Sequence, residues 1–396
     1  MSNPAHPKIH VWIPDYESAM GGIQVFSRFL IRALGDCLPA ARLTVLSKND
    51  NSFPMLPPRH PPSEFYCSGW WPIGTRTVAF ACQLVTRALR ERPDLIVSTH
   101  VNFTPVAMRL ERLARIPYAA VAHGVDVWGV RRGGVRRSLR RARRVLAVSR
   151  FTRDRMLAEL GLDPTRVGVL PNTFDPESFA PAPKPRHLLK RFELKPDQPV
   201  ILTVARLASA ERYKGYDQVL HALPVIRRTV PNVRYILAGR GPDRPRVEAL
   251  VRHLKLEDAV TFAGYIPDHE LCDFYNLCDV FAMPSKGEGF GIVFLEALSC
   301  GKAVLAGNKD GSVDALLDGE LGVLVDPDDV AQIADALEAM LTGRHPLAIL
   351  RQPELLCARV IEAYGYDRFV DHVAGHLAQL GFRGESAGIP AVSLVT

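Results

Sequence analysis

Three observations predict an α/β protein of two doubly wound, Rossmann-like domains with an inter-domain cleft. Short apolar runs alternate with longer amphipathic stretches, that rhythm is played twice, and a proline-rich segment divides the two rounds. At 396 residues the chain exceeds what one ordinary core supports, so two units of nearly 200 residues each are expected.

In the first round the strands read at 8–13, 43–46, 95–98, 118–122 and 145–148, with helical patterns at 21–35, 76–91, 104–115 and 135–143. The second round places strands at 200–204, 234–238, 260–262, 280–283, 303–306 and 322–325. These runs are continuous rather than alternating, as strands of a parallel sheet covered on both faces must be. The segment FAPAPKPRH at 179–187 cannot continue a helix and makes a semi-rigid connector. The expected division is 1–178 for an N-terminal domain, 179–192 for the linker and 193–352 for the C-terminal domain. Helices at 353–383 are expected to pack back on the N-terminal domain, and 384–396 to form a flexible tail.

Composition narrows the class. With 47% hydrophobic and 23% charged residues the chain is neither disordered nor fibrous. The net charge of +7 is unevenly spread, because residues 1–180 carry 25 Lys/Arg against 14 Asp/Glu. That excess suggests an anionic partner for the first half. Seven cysteines without a C-x-x-C pair suit a reducing compartment, and the N-terminus reads as lacking a signal peptide. No apolar run is long enough to span a bilayer. A cytoplasmic protein, touching the inner membrane face at most peripherally, is the expectation.

The sharpest local signal is GEGFGIVFLE at 287–296. Glycines at 287, 289 and 291 let the backbone approach a ligand, and a helix start after them offers unpaired N–H groups. Glu288 and Glu296, eight residues apart, can grip hydroxyls at opposite ends of an extended ligand. Taken alone, the string is also compatible with an ordinary glycine-rich turn bearing two surface glutamates. Arg206 follows the strand at 200–204, and Lys214 lies eight residues on. An Arg fork and a Lys point charge suit a diphosphate whose charge grows as a bond breaks. Gly21 and Gly22 open the first helix, where phosphate is favoured. His123 and Asp126 follow the strand at 118–122, at the edge where open sheets bind ligands.

Several chemistries are excluded. There is no Walker A loop, and Gly239-Arg240-Gly241 lacks the third glycine of a dinucleotide fingerprint. The only D-x-D string, Asp326-Pro327-Asp328, reads as a helix cap rather than a metal site, so neither metal nor cofactor is expected. Arginines at 131, 132, 136, 137, 140, 141, 143 and 144 crowd one stretch. They read as a solvated face or, through Arg136, Arg137, Arg140 and Arg144, as contact with an acidic membrane or a phosphorylated acceptor. No aromatic-interleaved or helix-turn-helix pattern points to nucleic acid.

Taken in order, GGIQVFSRFL, HGVD, LAVSRFTRDRM, VLPNTFDPESF, VARL…YKG, LAGRGPDR, FAGYIPDHEL and MPSKGEGFGIVFLEALSCGKAVLA resemble the retaining glycosyltransferase family 4 over about residues 8–380. The resemblance implies the GT-B fold and transfer of a hexose from a nucleoside diphosphate sugar, of UDP-glucose or GDP-mannose type. The acceptor would be a glycan, a lipid-linked molecule or a small molecule, and no metal would be needed. It implies that Arg206 and Lys214 hold the pyrophosphate, Glu288 the transferred sugar and Glu296 the ribose. Amides of Gly289, Phe290, Gly291 and Ile292 would meet sugar and phosphate, while Gly22, Gly21 and Gly241 would line the donor site. Tyr265 and Ile266 would meet the base, and His123 would face the reacting sugar. Relative to the family pattern, Glu211-Arg212-Tyr213 lengthens the Arg–Lys spacing, and Asn172-Thr173-Phe174-Asp175 replaces a commoner Asn-Gly-Val-Asp. A nucleotide-sugar epimerase or hydrolase on the same scaffold, or a non-catalytic nucleotide-sugar binder, is the competing expectation.

Overall fold

The computed structural model describes residues 6–17, 21–52 and 62–383, in two compact units. Among the described residues, the first comprises those between 6 and 148, 153–170 and 367–383, and the second residues 149–152 and 171–366. The expected tail at 384–396 lies outside the described residues.

The first unit is a seven-stranded parallel sheet of order β3-β2-β1-β4-β5-β6-β7. Its strands are β1 (Lys8–Ile13), β2 (Arg42–Ser47), β3 (Glu64–Cys67), β4 (Leu95–Ser98), β5 (Tyr118–Ala122), β6 (Arg144–Ala147) and β7 (Val167–Val169). Helices α1 (Gly22–Cys37), α2 (Ile73–Glu91), α3 (Thr104–Ala114), α4 (Gly133–Arg141) and α5 (Arg150–Leu160) connect them. Strands β1, β4 and β5 bury nearly every residue, which is why they read as solid apolar runs. Trp12, Ile96, Tyr118 and Ala120 pack with Phe80 and Leu84 of α2 and Leu110 of α3 in one apolar layer. Burying each such large side chain is worth roughly 1.5–3 kcal/mol.

The second unit is a six-stranded parallel sheet of order β10-β9-β8-β11-β12-β13. After α6 (Arg186–Arg191) come β8 (Val200–Val204), α7 (Tyr216–Thr229), β9 (Arg234–Ala238), α8 (Arg244–His253), β10 (Val260–Gly264), α9 (Asp268–Leu277) and β11 (Val280–Met283). Then follow α10 (Ile292–Ser299), β12 (Ala303–Gly307), α11 (Ser312–Ala315), β13 (Val323–Val325), α12 (Val330–Leu341), α13 (Pro353–Tyr364) and α14 (Tyr366–Leu380). In both sheets the chain reverses direction of winding beside the first strand: between β1 and β4, and between β8 and β11. Those points are where doubly wound sheets place ligands, outside the carboxyl ends of the strands.

Three features depart from the sequence expectation. Residues 353–383 do not return together: α13 packs on α10 in the second unit with Leu356 and Val360 buried, and only the chain beyond Tyr366 belongs to the first. Gly365, extended at φ −60° and ψ 163°, separates the two apolar faces. The proline-rich connector is docked on the second unit, where Lys184 bonds Asp279 at 2.7 Å and Ser299 Oγ donates to Phe179 O at 2.9 Å. The boundary therefore falls at 170/171. Strands β3 and β7 were not expected: β3 is only half-buried along its length, and β7 is three residues with a glycine at its centre.

Candidate functional site

In the second unit, the carboxyl ends of β8 and β11 bring together a charged cluster. Arg206 follows β8, and the three additional residues 211–213 lie in a 3-10 segment, Ser209–Lys214, that kinks at Glu211 (φ −113°, ψ 17°). Arg212 is tied down by Asp243 at 3.0 Å, and Lys286 N–H donates to the Tyr213 carbonyl at 2.9 Å, leaving Lys214 aimed at the next loop. Lys214 Nζ lies 2.7 Å from Glu288 Oε1 and 3.8 Å from Glu211 Oε2. Arg206 pairs with the other oxygen of Glu211 at 2.5 Å. The lengthened spacing thus leaves Lys214 within reach of Glu288. Lys214 is only 16% exposed, whereas the Arg206 side chain is 70% exposed.

The loop that presents Glu288 is held by a residue the sequence reading missed. Asp310, fully buried after β12, accepts from Ser285 Oγ and from Glu288 N–H at 2.7 Å each, and from Ser312 N–H at 3.0 Å. Burial pushes its proton affinity up, and the donated hydrogen bonds oppose that. Gly311 N–H donates to Glu288 O at 2.9 Å. A Cβ at Gly311 would lie 2.0 Å from Gly289 O, so only glycine allows the two loops this approach. Nothing in the sequence marks Ser285, Asp310 or Ser312, because burial of a loop aspartate has no periodic signature.

Beyond Glu288 the chain turns into α10 through Gly291, which has φ 94°, and no side chain caps this helix. Gly289, Phe290, Gly291 and Ile292 therefore present backbone at an open helix start, with the Phe290 ring buried against Tyr364. Glu296 stands one turn further in, its Oε2 accepting from Tyr275 Oη of α9 at 2.6 Å. Burial raises the Glu296 carboxyl to about 7, with the Tyr275 hydrogen bond opposing. Because the folded protein holds this proton more tightly than the unfolded chain, the residue's contribution to stability declines as pH rises from 4.5 through about 7. We expect the unfolding free energy of wild type, relative to Glu296→Gln, to fall between pH 4.5 and 7.5. A flat difference across chemical denaturation series at these pH values would show an unshifted carboxyl.

Tyr265 and Ile266 follow β10, and the 43% exposed Tyr265 ring carries the Arg240 guanidinium 4.9 Å above it. Gly241 lies in the preceding loop with φ 158°, and a Cβ there would fall 1.9 Å from Leu207 O. Its structural duty is to let the β9 loop press on the segment that carries Arg206.

In the first unit, Gly21 and Gly22 start α1, which has no side-chain cap, and Gly21 is in extended backbone open to any residue. His123 closes β5. Its Nε2–H donates to Thr99 O at 2.9 Å, leaving Nδ1 as an acceptor, and burial lowers its proton affinity to about 3, so the ring is neutral. The Phe26 ring of α1 stands edge-on to it at 5.0 Å. Asp126 does not project outward: Oδ1 accepts from His123 N–H at 2.8 Å and fixes this turn.

The arginine stretch is also corrected in part. Arg140 Nε donates to Leu160 O at 2.8 Å, Arg144 to Thr165 O at 2.9 Å and Arg136 to Glu159 O at 3.3 Å. They buttress α5 and β7. Arg112 and Arg137 are exposed and carry no hydrogen bond or ion pair among the described residues. The D-x-D string is a turn, with Asp326 accepting from Asp328 N–H at 2.9 Å, and the cap of α12 is Asp329. Among the described residues no group of three or more His, Cys, Asp and Glu could hold a metal ion, and no helix is long and apolar enough to cross a membrane.

Two parallel doubly wound units, with an Arg–Lys pair and a glutamate loop at the carboxyl edge of the second sheet, define a GT-B protein. The profile described as Glycosyltransferase Family 4 matches residues 20–178, and that described as Glycosyl transferases group 1 matches residues 186–352. The chain belongs to glycosyltransferase family 4. A relative from Mycolicibacterium smegmatis, a GDP-mannose-dependent alpha-(1-6)-phosphatidylinositol monomannoside mannosyltransferase, is 35% identical over 56% of this chain and 60% of its own. A D-inositol 3-phosphate glycosyltransferase of Acidothermus cellulolyticus is 34% identical over 60% of this chain and 54% of its own. The chain thus spans little more than half the length of these relatives. Sucrose-phosphate synthase from Thermosynechococcus elongatus superposes with TM-score 0.78 at 21% identity, covering 95% of this chain and 99% of that one. Anabaena HepE, solved with UDP and glucose, gives 0.76 at 22% identity, covering 94% and 100%.

Proposed function

We propose that the protein transfers a hexosyl group, with retention and without a metal, from a nucleoside diphosphate sugar to an acceptor hydroxyl. The observation that carries this reading is Lys214 Nζ, 2.7 Å from Glu288 and in the same cluster as Arg206. Two cations beside a carboxylate fit a diphosphate joined to a sugar: the cations take the phosphates, and the carboxylate accepts from sugar hydroxyls. Glu296 would accept from the ribose hydroxyls, and Tyr265 and Ile266 would meet the base. In the transfer the bond from the sugar's C1 to the phosphate oxygen breaks as the acceptor oxygen bonds C1 from the same face. The acceptor's proton passes to the departing diphosphate, so no protein nucleophile is required. His123, neutral, would orient a sugar hydroxyl through Nδ1.

For the donor, the mycobacterial relative's name favours GDP-mannose, while HepE was solved with UDP. Both relatives' names carry a phosphorylated inositol, and the arginine excess of residues 1–180 suits an acceptor bearing phosphate. Arg112, Arg131 and Arg137 are among the exposed arginines that could touch such an acceptor, or the acidic surface that displays it. A thermal-shift panel of UDP, GDP and ADP sugars, followed by mass spectrometry and anomeric NMR of products, tests this. Stabilisation by one donor and an α-linked product are expected. Donor breakdown without acceptor would point to a hydrolase, and no response to any sugar nucleotide would end the proposal.

A further inference from the structure

Resting on the donor reading above, we propose that Glu211 is a built-in competitor of the diphosphate: it neutralises Arg206 and Lys214 when the site is empty and repels the product diphosphate when it is full. One carboxylate reaches both cations, at 2.5 Å to Arg206 and 3.8 Å to Lys214, while its own side chain is only 13% exposed. Lys214 makes its close contact with Glu288, and Glu211 Oε2 is buried without a hydrogen-bond partner among the described residues. A buried, half-satisfied carboxylate oxygen is an unfavourable arrangement that a purely structural ion pair would avoid. The turn that carries Glu211 is itself pinned by Arg212–Asp243 and by Lys286 N–H on the Tyr213 carbonyl, which limits how far the glutamate can retreat.

A diphosphate bound by Arg206 and Lys214 must therefore take both cations from Glu211 and remain beside its negative charge. Attraction from the cations and repulsion from Glu211 then act on the same phosphates at a few ångströms. The repulsion is weakest for the intact donor, whose phosphates carry about two charges. It grows once the sugar has left and the terminal phosphate gains another. Glu211 is thus a positioning residue whose effect falls on product release and on product inhibition more than on the bond-breaking step.

The test compares wild type with Glu211→Gln, which keeps the side chain's shape and its acceptor oxygen for Arg206. Calorimetric titrations of inorganic pyrophosphate, of GDP and UDP, and of the bare nucleosides are run on the full chain. We expect pyrophosphate and the bound nucleoside diphosphate each to tighten about tenfold in Glu211→Gln, with nucleoside unchanged and the gain shrinking as salt is raised. In turnover, the product inhibition constant should fall by a similar factor. Equal or weaker pyrophosphate binding by Glu211→Gln overturns the proposal, as does a failure of either protein to bind pyrophosphate. Pyrophosphate that tightens while no nucleoside diphosphate binds better than pyrophosphate leaves Glu211's role standing and removes the donor reading instead. Glu211→Ser, smaller and uncharged, repeats the measurement should the glutamine distort the turn.

Discussion

Lys214→Ala is expected to lower transfer by about a hundredfold to a thousandfold, the range seen when a preorganised charge facing a transition state is removed. Lys214 is largely buried between Glu288 and Glu211, so its loss has a second consequence. Two carboxylates would then face each other without a shared cation, at a cost to stability of up to about 3 kcal/mol. The double variant Lys214→Ala/Glu211→Gln separates these effects, because it removes one of the two facing charges and leaves Glu288 opposite a neutral side chain, without restoring the catalytic cation. Thermal unfolding should recover in the double variant, and single-turnover transfer should not. Recovery of both would make Lys214 a structural residue, and near-normal turnover in Lys214→Ala would sink the leaving-group assignment.

Asp310→Ala should disable the protein from a position that touches no substrate. Three donors converge on that carboxylate: Ser285 Oγ, Glu288 N–H and Ser312 N–H. Each buried donor left unpaired costs about 1–3 kcal/mol. Ser285 Oγ has Ser312 Oγ at 3.0 Å as an alternative partner, so a loss of about 3 kcal/mol in unfolding free energy is the expectation. Because Glu288 is one of the residues so held, transfer should drop more than tenfold even below the melting temperature. Asp310→Asn, which keeps one acceptor oxygen, should fall between the two. Chemical denaturation and initial-rate kinetics on the same samples read both effects, and an Asp310→Ala protein of unchanged stability and rate would show that the loop supports itself.

Long, strongly apolar strands were legible in the sequence because both faces of each are covered, and their bounds fall within two residues of the observed ones. Strands β3 and β7 were not, since β3 is only half-buried along its length and β7 is three residues interrupted by Gly168, so neither makes an apolar run. The residues bearing full charges in the second unit were legible by type and spacing: Arg206, Lys214 and Glu288 meet there. What escaped were partners rather than principals. Glu211 looked like one of three additional loop residues, and nothing marked Asp310, because neither pairing is local in sequence. The arginines at 136, 140 and 144 show the converse. Sequence registers their charge but not that backbone carbonyls at 159, 160 and 165 already receive their N–H groups.

The first unit is completed by the last helix of the chain. Phe369, Val373, Leu377 and Leu380 of α14 are buried, and His376 Nε2–H donates to Val169 O at 2.9 Å. Val373 and Leu377 line the same apolar seam as Leu30, Leu34, Val97 and Leu146. During synthesis, then, the strands of the first unit wait with that seam uncovered until some 200 further residues have been made. A fragment ending at 170 would inherit the same exposed strip, so expression of the N-terminal half alone calls for α14 to be joined back on.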